Sequence, residues 1–412
     1  MAFGRGSIAE MFGLDKSVKV LDVSERVDEG SWTVELELRR ESRCPQCGDR
    51  RVWLHSRGRM RKVRHWRLPA DRWLNLRYRA KRYRCGGCGA TWTGRPACYL
   101  PWMRVSVWML IDVLKRLSHV SFSRASRECG IHVRTLLKCF DDAVELEPDW
   151  DLLRDGRPVR LAVDEHSFAG RKMVTLVVER VRSMPLVILP NDRKATVKAF
   201  LHKIPPDIAQ RVDAAATDMS TRFRSALRES LGIEPTADRF HVVRDAMRRL
   251  DEVRLVEQTI QGEITGEPVA IPKKLLGKSM EKLSAKGKKQ ISELLARHSR
   301  LALYWHYKER VRLIYDAENR AQAEQMLDTI IADLNVEPDD PELHTWARTL
   351  TNWRENILLY FDTGMTTAIA EGYNNVVKMH KRISFGFRNL DTYIKKIMLA
   401  LVPCRFPTLH TY

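Results

Sequence analysis

Val159-Arg-Leu-Ala-Val-Asp164-Glu165-His166 is a short apolar run that ends abruptly in two acids and a histidine. Residues 159–163 read as an apolar strand. Residues 173–179 and 185–189 repeat the apolar pattern, 195–203 carries helical spacing, and 212–217 is a further strand that ends at Asp218. A helix over 220–230 and a short strand over 235–240 complete the segment. Three antiparallel strands, a helix, a strand, a helix and a last strand is the order of a ribonuclease-H-like α/β domain. Asp164 and Asp218 then each stand at the C-terminal end of a strand, where the backbone is rigid and the side chain reaches a cleft.

If those strands are neighbours, the two carboxylates converge, and like charges that close require a cation between them. Oxygen-only ligands favour magnesium or manganese over zinc. Two such ions would activate a water or a 3′-hydroxyl and stabilise the leaving oxygen of a phosphodiester. A single Asp at a strand end is equally a turn or helix cap. A third carboxylate is needed, and Glu371 is the candidate. With Asn375, Lys378 and Arg382 it falls at spacings of four, three and four, which puts all four on one helix face. That stripe reads either as a metal ligand followed by phosphate contacts or as a solvated face with loose ion pairing. His166 and His241 read as phosphate or supporting contacts beside the acids, since neither has a His-x-x-x-His zinc spacing. Glu165, adjacent to Asp164 in a strand, faces the other way.

Upstream, the polar stretch 149–158 marks a domain boundary. Before it lie Cys44-Pro-Gln-Cys47 and Cys85-Gly-Gly-Cys88, two knuckles whose four thiolates are what a closed, structural tetrahedral zinc site takes. From Arg50 to Arg95 the chain carries 15 Lys/Arg against one acid, Asp71. So basic a domain points to a polyanion, nucleic acid first, with Arg61, Lys62, Arg64 and Arg67 as candidate contacts. A short helix over 7–14, strands over 18–23 and 32–39, and a ribbon over 63–68 and 73–83 make this region β-rich. Trp53, Trp66, Trp73, Trp92 and Trp102 serve either as its core or as base and sugar contacts. Residues 121–140 fit a helix-turn-helix, with Ser126 at the inter-helix contact, Gly130 at the turn and Leu136 on the inner face. Its second helix turns Arg134, Thr135 and Lys138 outward as a major-groove reader would; an ordinary helical hairpin fits the same pattern. Residues 241–362 show only helix signal, with Lys-rich turns at Lys273-Lys274 and Lys286-Gly-Lys-Lys289.

The expected organisation is therefore multidomain α/β. It comprises a zinc-binding β domain over 1–100, a helix-turn-helix over 101–148, a ribonuclease-H-like domain over 149–243 and 363–412, and an all-α insertion over 244–362. The 412 residues, 44% hydrophobic and 30% charged with a net charge of +19, describe a soluble globular protein. No stretch approaches the roughly 18 uninterrupted apolar residues of a membrane span, and the N-terminus lacks the apolar core of a secretion signal. The eight cysteines are expected reduced, in the cytoplasm.

Glu371-Gly-Tyr-Asn-Asn-Val-Val-Lys378-Met-His-Lys381-Arg382-Ile-Ser-Phe-Gly-Phe-Arg388-Asn389 resembles the C-terminal signature of the ISL-three family of bacterial insertion-sequence transposases. The likeness extends over the knuckles, the 121–140 segment, Ala162-Val-Asp-Glu-His-Ser167, Ala216-Thr-Asp-Met-Ser220, Ala237-Asp-Arg-Phe-His241 and the helical insertion. It implies that Asp164, Asp218 and Glu371 are an acidic catalytic triad holding two magnesium or manganese ions, with Asp238 and His241 beside it. Lys378, Lys381, Arg382 and Arg388 would then contact DNA. Thr367 stands where the family often has Asn. The resemblance implies an enzyme that binds the terminal inverted repeats of its element, cleaves there and joins the freed 3′-hydroxyls to target DNA, as a dimer or larger assembly on double-stranded DNA. The same sequence also suits a non-catalytic regulator derived from a transposase, or a nuclease that cuts without joining.

Overall fold

The computed structural model describes residues 9–69, 72–99, 104–143, 147–337 and 340–405. Trp102 and the start of the expected 7–14 helix lie outside them. The chain divides into two compact units, Met1–Pro148 with Val377–Tyr412, and Asp149–Val376.

In the first unit, strands β1 (Val18–Arg26), β2 (Ser31–Leu38), β3 (Val52–Leu68) and β4 (Arg72–Cys85) form a sheet of order β1-β2-β4-β3, with β5 (Thr91–Gly94) paired to β4. β3 and β4 are one long antiparallel ribbon, while β2 runs parallel to β4. Alternation puts Val34, Leu36, Leu74, Leu76 and Tyr78 into one core, which is why so basic a segment still holds a sheet. Beyond it, α1 (Val107–Leu117), α2 (Phe122–Cys129) and α3 (Val133–Ala143) bury Met109, Leu117, Ala125, Leu136 and Phe140 together. α2 ends on Gly130 at φ +59, and the Ser126 hydroxyl donates across the turn to the Ile131 carbonyl at 2.6 Å.

The last helix, α12 (Leu390–Leu401), belongs to this unit, and this corrects the placing of 377–412 with the α/β domain. Lys396 Nζ donates to the Val120 carbonyl at 2.7 Å, Lys395 Nζ to the Asp141 carbonyl at 2.8 Å, and Leu399 packs on the three-helix core. These are long-range contacts between helices far apart in sequence.

In the second unit, β6 (Val159–Ala169), β7 (Lys172–Glu179) and β8 (Met184–Leu189) are an antiparallel meander, and β9 (Val212–Thr217) and β10 (Thr236–Ala237) run parallel to β6. The order is β10-β9-β6-β7-β8. Helices α4 (Lys194–Leu201) and α5 (Thr221–Leu231) connect the strands. Two expectations change. β6 continues five residues past Asp164 into the hairpin with β7, so Asp164 is not at a strand end. β10 stops at Ala237, because Asp238 caps α6 (Arg239–Thr265) and commits residues 239 and 240 to that helix. The helical region that follows includes α7 (Ala285–Arg297), α8 (Ser299–Leu313), α9 (Arg320–Val336) and α10 (Pro341–Thr363). It shares one core with the start of α6, centred on Trp346, which stacks on Tyr304 and meets Tyr307 edge-on. Next comes α11 (Ala368–Ile383).

Candidate active site and cysteine cluster

Register assembles the acids. Val163 on β6 pairs with Thr217 on β9, and Thr217 pairs with Ala237 on β10. Asp164, Asp218 and Asp238 are each the next residue, so three carboxylates follow one row across three adjacent parallel strands. Asp164 is 7% exposed. Its Oδ1 accepts from the Glu165 N–H at 2.9 Å and its Oδ2 from Asn374 Nδ2 at 2.7 Å. Asp218 Oδ1 accepts from the Thr217 hydroxyl at 3.2 Å and the Ser220 N–H at 3.1 Å.

The three acids are held differently. Burial raises the carboxyl pKa of Asp164, opposed by the charge of His241 and the Glu165 N–H and reinforced by Asp218. Burial likewise raises Asp218, again opposed by His241. Burial acts upward on Asp238 too, yet His241 and the Thr367 N–H outweigh it and its pKa falls. His241 sits among all three: burial lowers it, but Asp238, Asp218 and Asp164 together carry it above its ordinary value. Its Nδ1 lies 3.3 Å from Asp238 Oδ1. The site thus sets a buried and a half-buried carboxylate, both with raised pKa, beside Asp238, whose pKa His241 helps to lower.

Asp238 is chiefly a structural anchor. Its Oδ1 accepts from the Phe240 N–H at 2.9 Å and the His241 N–H at 3.3 Å, starting α6, while its Oδ2 accepts from the Thr367 N–H at 2.8 Å at the head of α11. Because Thr367 bonds through its main chain, Thr serves there as well as Asn. Asn374 fixes α11 a second time, through Asp164. Residues 367, 371 and 374 lie at spacings of four and three, so Glu371 is on the face held at both points.

Glu371 itself is exposed. Among the described residues, only the four knuckle cysteines bring three or more His, Cys, Asp or Glu ligand atoms within 4.8 Å of one another; Asp164, Asp218 and Glu371 do not close to that spacing. The amide at Asp164 is the buried Asn374, whereas the expected Asn375 is exposed. One step around a helix separates them, and Asn375 stays with Glu371, Lys378 and Arg382 on the exposed stripe. His166 is buried on β6 two residues from Asp164. Glu165 pairs with Arg222 at 3.5 Å. A cleft of about 410 Å³, lined among others by Asp218, His241, Arg244, Arg248 and Thr349, opens beside the acids.

Do these residues suit a divalent cation? The donors are hard oxygens, and Asn374 Oδ1 is a buried acceptor with no hydrogen-bond partner next to Asp164. An acceptor turned to a polar site without a donor, beside two crowded carboxylates, fits an oxygen-ligated ion.

The cysteine cluster also fits its metal. Cys44 and Cys88 sulfurs lie 3.7 Å apart and those of Cys47 and Cys85 3.5 Å. Four thiolates at about 2.3 Å from a tetrahedral zinc stand about 3.8 Å from one another. The backbone N–H of Cys88, against the effect of burial, and then that of Gly87 bring the Cys85 thiol down to about 7. The surrounding core is only Cys44, Val52, Tyr83 and Cys85, with Ala90 and Trp92 packed on it.

Among the candidate DNA contacts, Arg61, Lys62, Arg134, Thr135, Lys138, Lys378, Arg382 and Arg388 are exposed, while Arg67 and Lys381 are half-buried. Arg64 is a correction. Its Nη1 donates to the Cys129 and Gly130 carbonyls at 3.2 and 2.6 Å, and its guanidinium lies 4.5 Å over the Trp73 ring. It is half-buried and closes the end of α2. Lys62 pairs with Glu29 at 2.5 Å. Trp92 stacks on Tyr83 and Trp66 packs on the sheet core, while Trp53 is 46% exposed.

An acid row on parallel strands, beside a basic cleft, belongs to a chain whose relatives move DNA. The family model described as "Transposase", that of the ISL-three (ISL3) DDE transposases, matches residues 161–397, more than half of the chain, and the chain belongs to this family. It is 28% identical over 366 residues to the "Transposase for insertion sequence element IS1001" of Bordetella parapertussis, covering 87% of this chain and 88% of that one. No helix among the described residues is long and apolar enough to cross a membrane.

Proposed function

We propose that the chain is a DDE transposase whose catalytic acids are Asp164, Asp218 and Glu371, on a ribonuclease-H-like domain. The observation that carries this is the register: Asp164 and Asp218 follow the paired row Val163–Thr217 on adjacent parallel strands, the first buried and the second half-buried. A meander joined to two parallel strands supports the fold reading. Magnesium or manganese ions bound by these oxygens would polarise the scissile phosphate and acidify the attacking water or 3′-hydroxyl. The chain's own part is positional. Asn374 orients Asp164, Asp238 sets the start of the helix that presents Glu371, and His241 balances charge among the acids.

DNA is held by the other unit. The zinc-stapled sheet supplies positive charge, and α2 and α3 form a helix-turn-helix that offers Arg134, Thr135 and Lys138 to the terminal inverted repeats. Two ends are processed together, so the working form on DNA is a dimer or larger, in the cytoplasm. The full chain, incubated with linear DNA carrying the element's ends, cleaves at the termini only with magnesium or manganese and transfers the 3′-hydroxyls to target DNA. Asp164→Asn and Glu371→Gln abolish both steps while retaining DNA binding. Cleavage that persists in either variant overturns the site assignment.

A further inference from the structure

Phe385 carries the most exposed large apolar side chain among the described residues, 92% accessible, and its backbone is left-handed at φ +58. Both facts run against the fold. α11 ends with the Phe385 N–H bonded to the Arg382 carbonyl at 2.9 Å and the Gly386 N–H to the Lys381 carbonyl at 3.2 Å. The first residue past such an end is ordinarily glycine, since a Cβ there is crowded. Here glycine comes one residue late, at Gly386, φ +87. The strained position holds a phenylalanine that buries nothing.

The loop is fastened on both sides of that ring. The Ser384 hydroxyl accepts from Lys396 Nζ at 2.6 Å. The Phe387 ring meets Tyr393 edge-on at 5.2 Å, and Lys396 lies over Phe387 at 5.7 Å. Phe385 is therefore a rigidly presented aromatic, with exposed Arg382 and Arg388 on either side of it in sequence. A backbone outlier that folding does not need points to function. Cations around a lone aromatic complement a nucleic acid backbone.

We infer that Phe385 is a DNA wedge: its ring enters the base stack of DNA bound by this unit, while Arg382 and Arg388 contact the flanking phosphates. The inference rests on the DNA-binding reading above and assigns a residue outside the acid site. Its test uses the full chain and duplexes carrying the element's ends with 2-aminopurine at successive positions. Binding of the unaltered chain raises fluorescence at one or two adjacent positions. Phe385→Gly abolishes that rise and weakens binding roughly 5- to 150-fold, the worth of one stacked base. The same variant raises the thermal midpoint by relieving the left-handed strain, so misfolding is separable, and Phe385→Trp keeps the signal. Unchanged fluorescence and affinity in Phe385→Gly overturn the inference. So does loss of self-association in sedimentation with the DNA signal intact, which makes the ring a protein contact. Failure of the unaltered chain to bind any end duplex overturns the DNA reading itself, a separate outcome.

Discussion

Asp164→Asn and Asp238→Asn are nearly identical chemical changes, yet only the second should lower stability. In Asp238→Asn the amide oxygen can still cap α6, since Asn caps as well as Asp. The other atom becomes an NH₂ directed at the Thr367 N–H, which presently donates at 2.8 Å to a carboxylate oxygen. Turning the amide over moves the same conflict onto the N–H groups of Phe240 and His241. A lost hydrogen bond to a buried charge costs about 1.5–3 kcal/mol. At about 2–4 °C per kcal/mol for a unit of this size, the midpoint should fall by about 3–12 °C. Asp164→Asn meets a partner that can adapt. Asn374 can rotate its amide and offer Oδ1, which has no partner now, to the new NH₂. The substitution also removes a carboxylate whose ionised form burial and Asp218 disfavour. Its midpoint should equal or exceed that of the unaltered chain. Differential scanning fluorimetry without added magnesium gives both numbers, and hydrogen exchange at residues 367–371 reports whether α11 frays in Asp238→Asn alone. Equal losses in the two variants, or no loss in Asp238→Asn, would refute the claim that Asp238 anchors and Asp164 is strained.

The remaining expectations follow from the first unit. Stripping metal with a chelator, or Cys47→Ala, should unfold the knuckle region. Its core is too small to persist once on the order of 10 kcal/mol of metal binding is gone; near-ultraviolet circular dichroism of Trp92 and Tyr83 is the readout, and an unchanged spectrum refutes a structural metal. Arg134→Ala should reduce the slope of log affinity against log salt by about 1. Arg64→Ala should instead lower the thermal midpoint by uncapping α2, with the slope unchanged. Burial lowers the Lys396 ammonium to about 8. The folded state therefore releases its proton before the unfolded chain does. Stability relative to Lys396→Met should rise from pH 8 toward the free-lysine value of about 10.4 and stay flat below pH 8, which urea titrations across that range will show.

Features encoded by local pattern were legible in the sequence. Alternation revealed the strands of the basic sheet, and the knuckle spacing foretold sulfurs within 4.8 Å. The apolar runs ending at Asp164 and Asp218 brought the pair together, because parallel neighbours put their following residues side by side. What pattern hid depends on distant partners. Asn374 and Asn375 differ by one helical step, and only the β6 carboxylate distinguishes them. Arg64 looks like its basic neighbours until the α2 carbonyls arrive from 65 residues away. The parallel contact of β2 with β4 bypasses sequence order, and the allegiance of α12 rests on Val120 and Asp141.

That allegiance makes the first unit discontinuous: residues 377–405 complete it, yet they leave the ribosome only after all of Asp149–Val376. During synthesis the α/β unit can reach its native core first. The helices that carry Arg134 and Lys138 gain this packing partner, with Lys396 in place, only after the whole of Asp149–Val376 has been made. On the DNA-binding reading proposed above, chain order thus delays the finished recognition helices until the acid-bearing unit has been made.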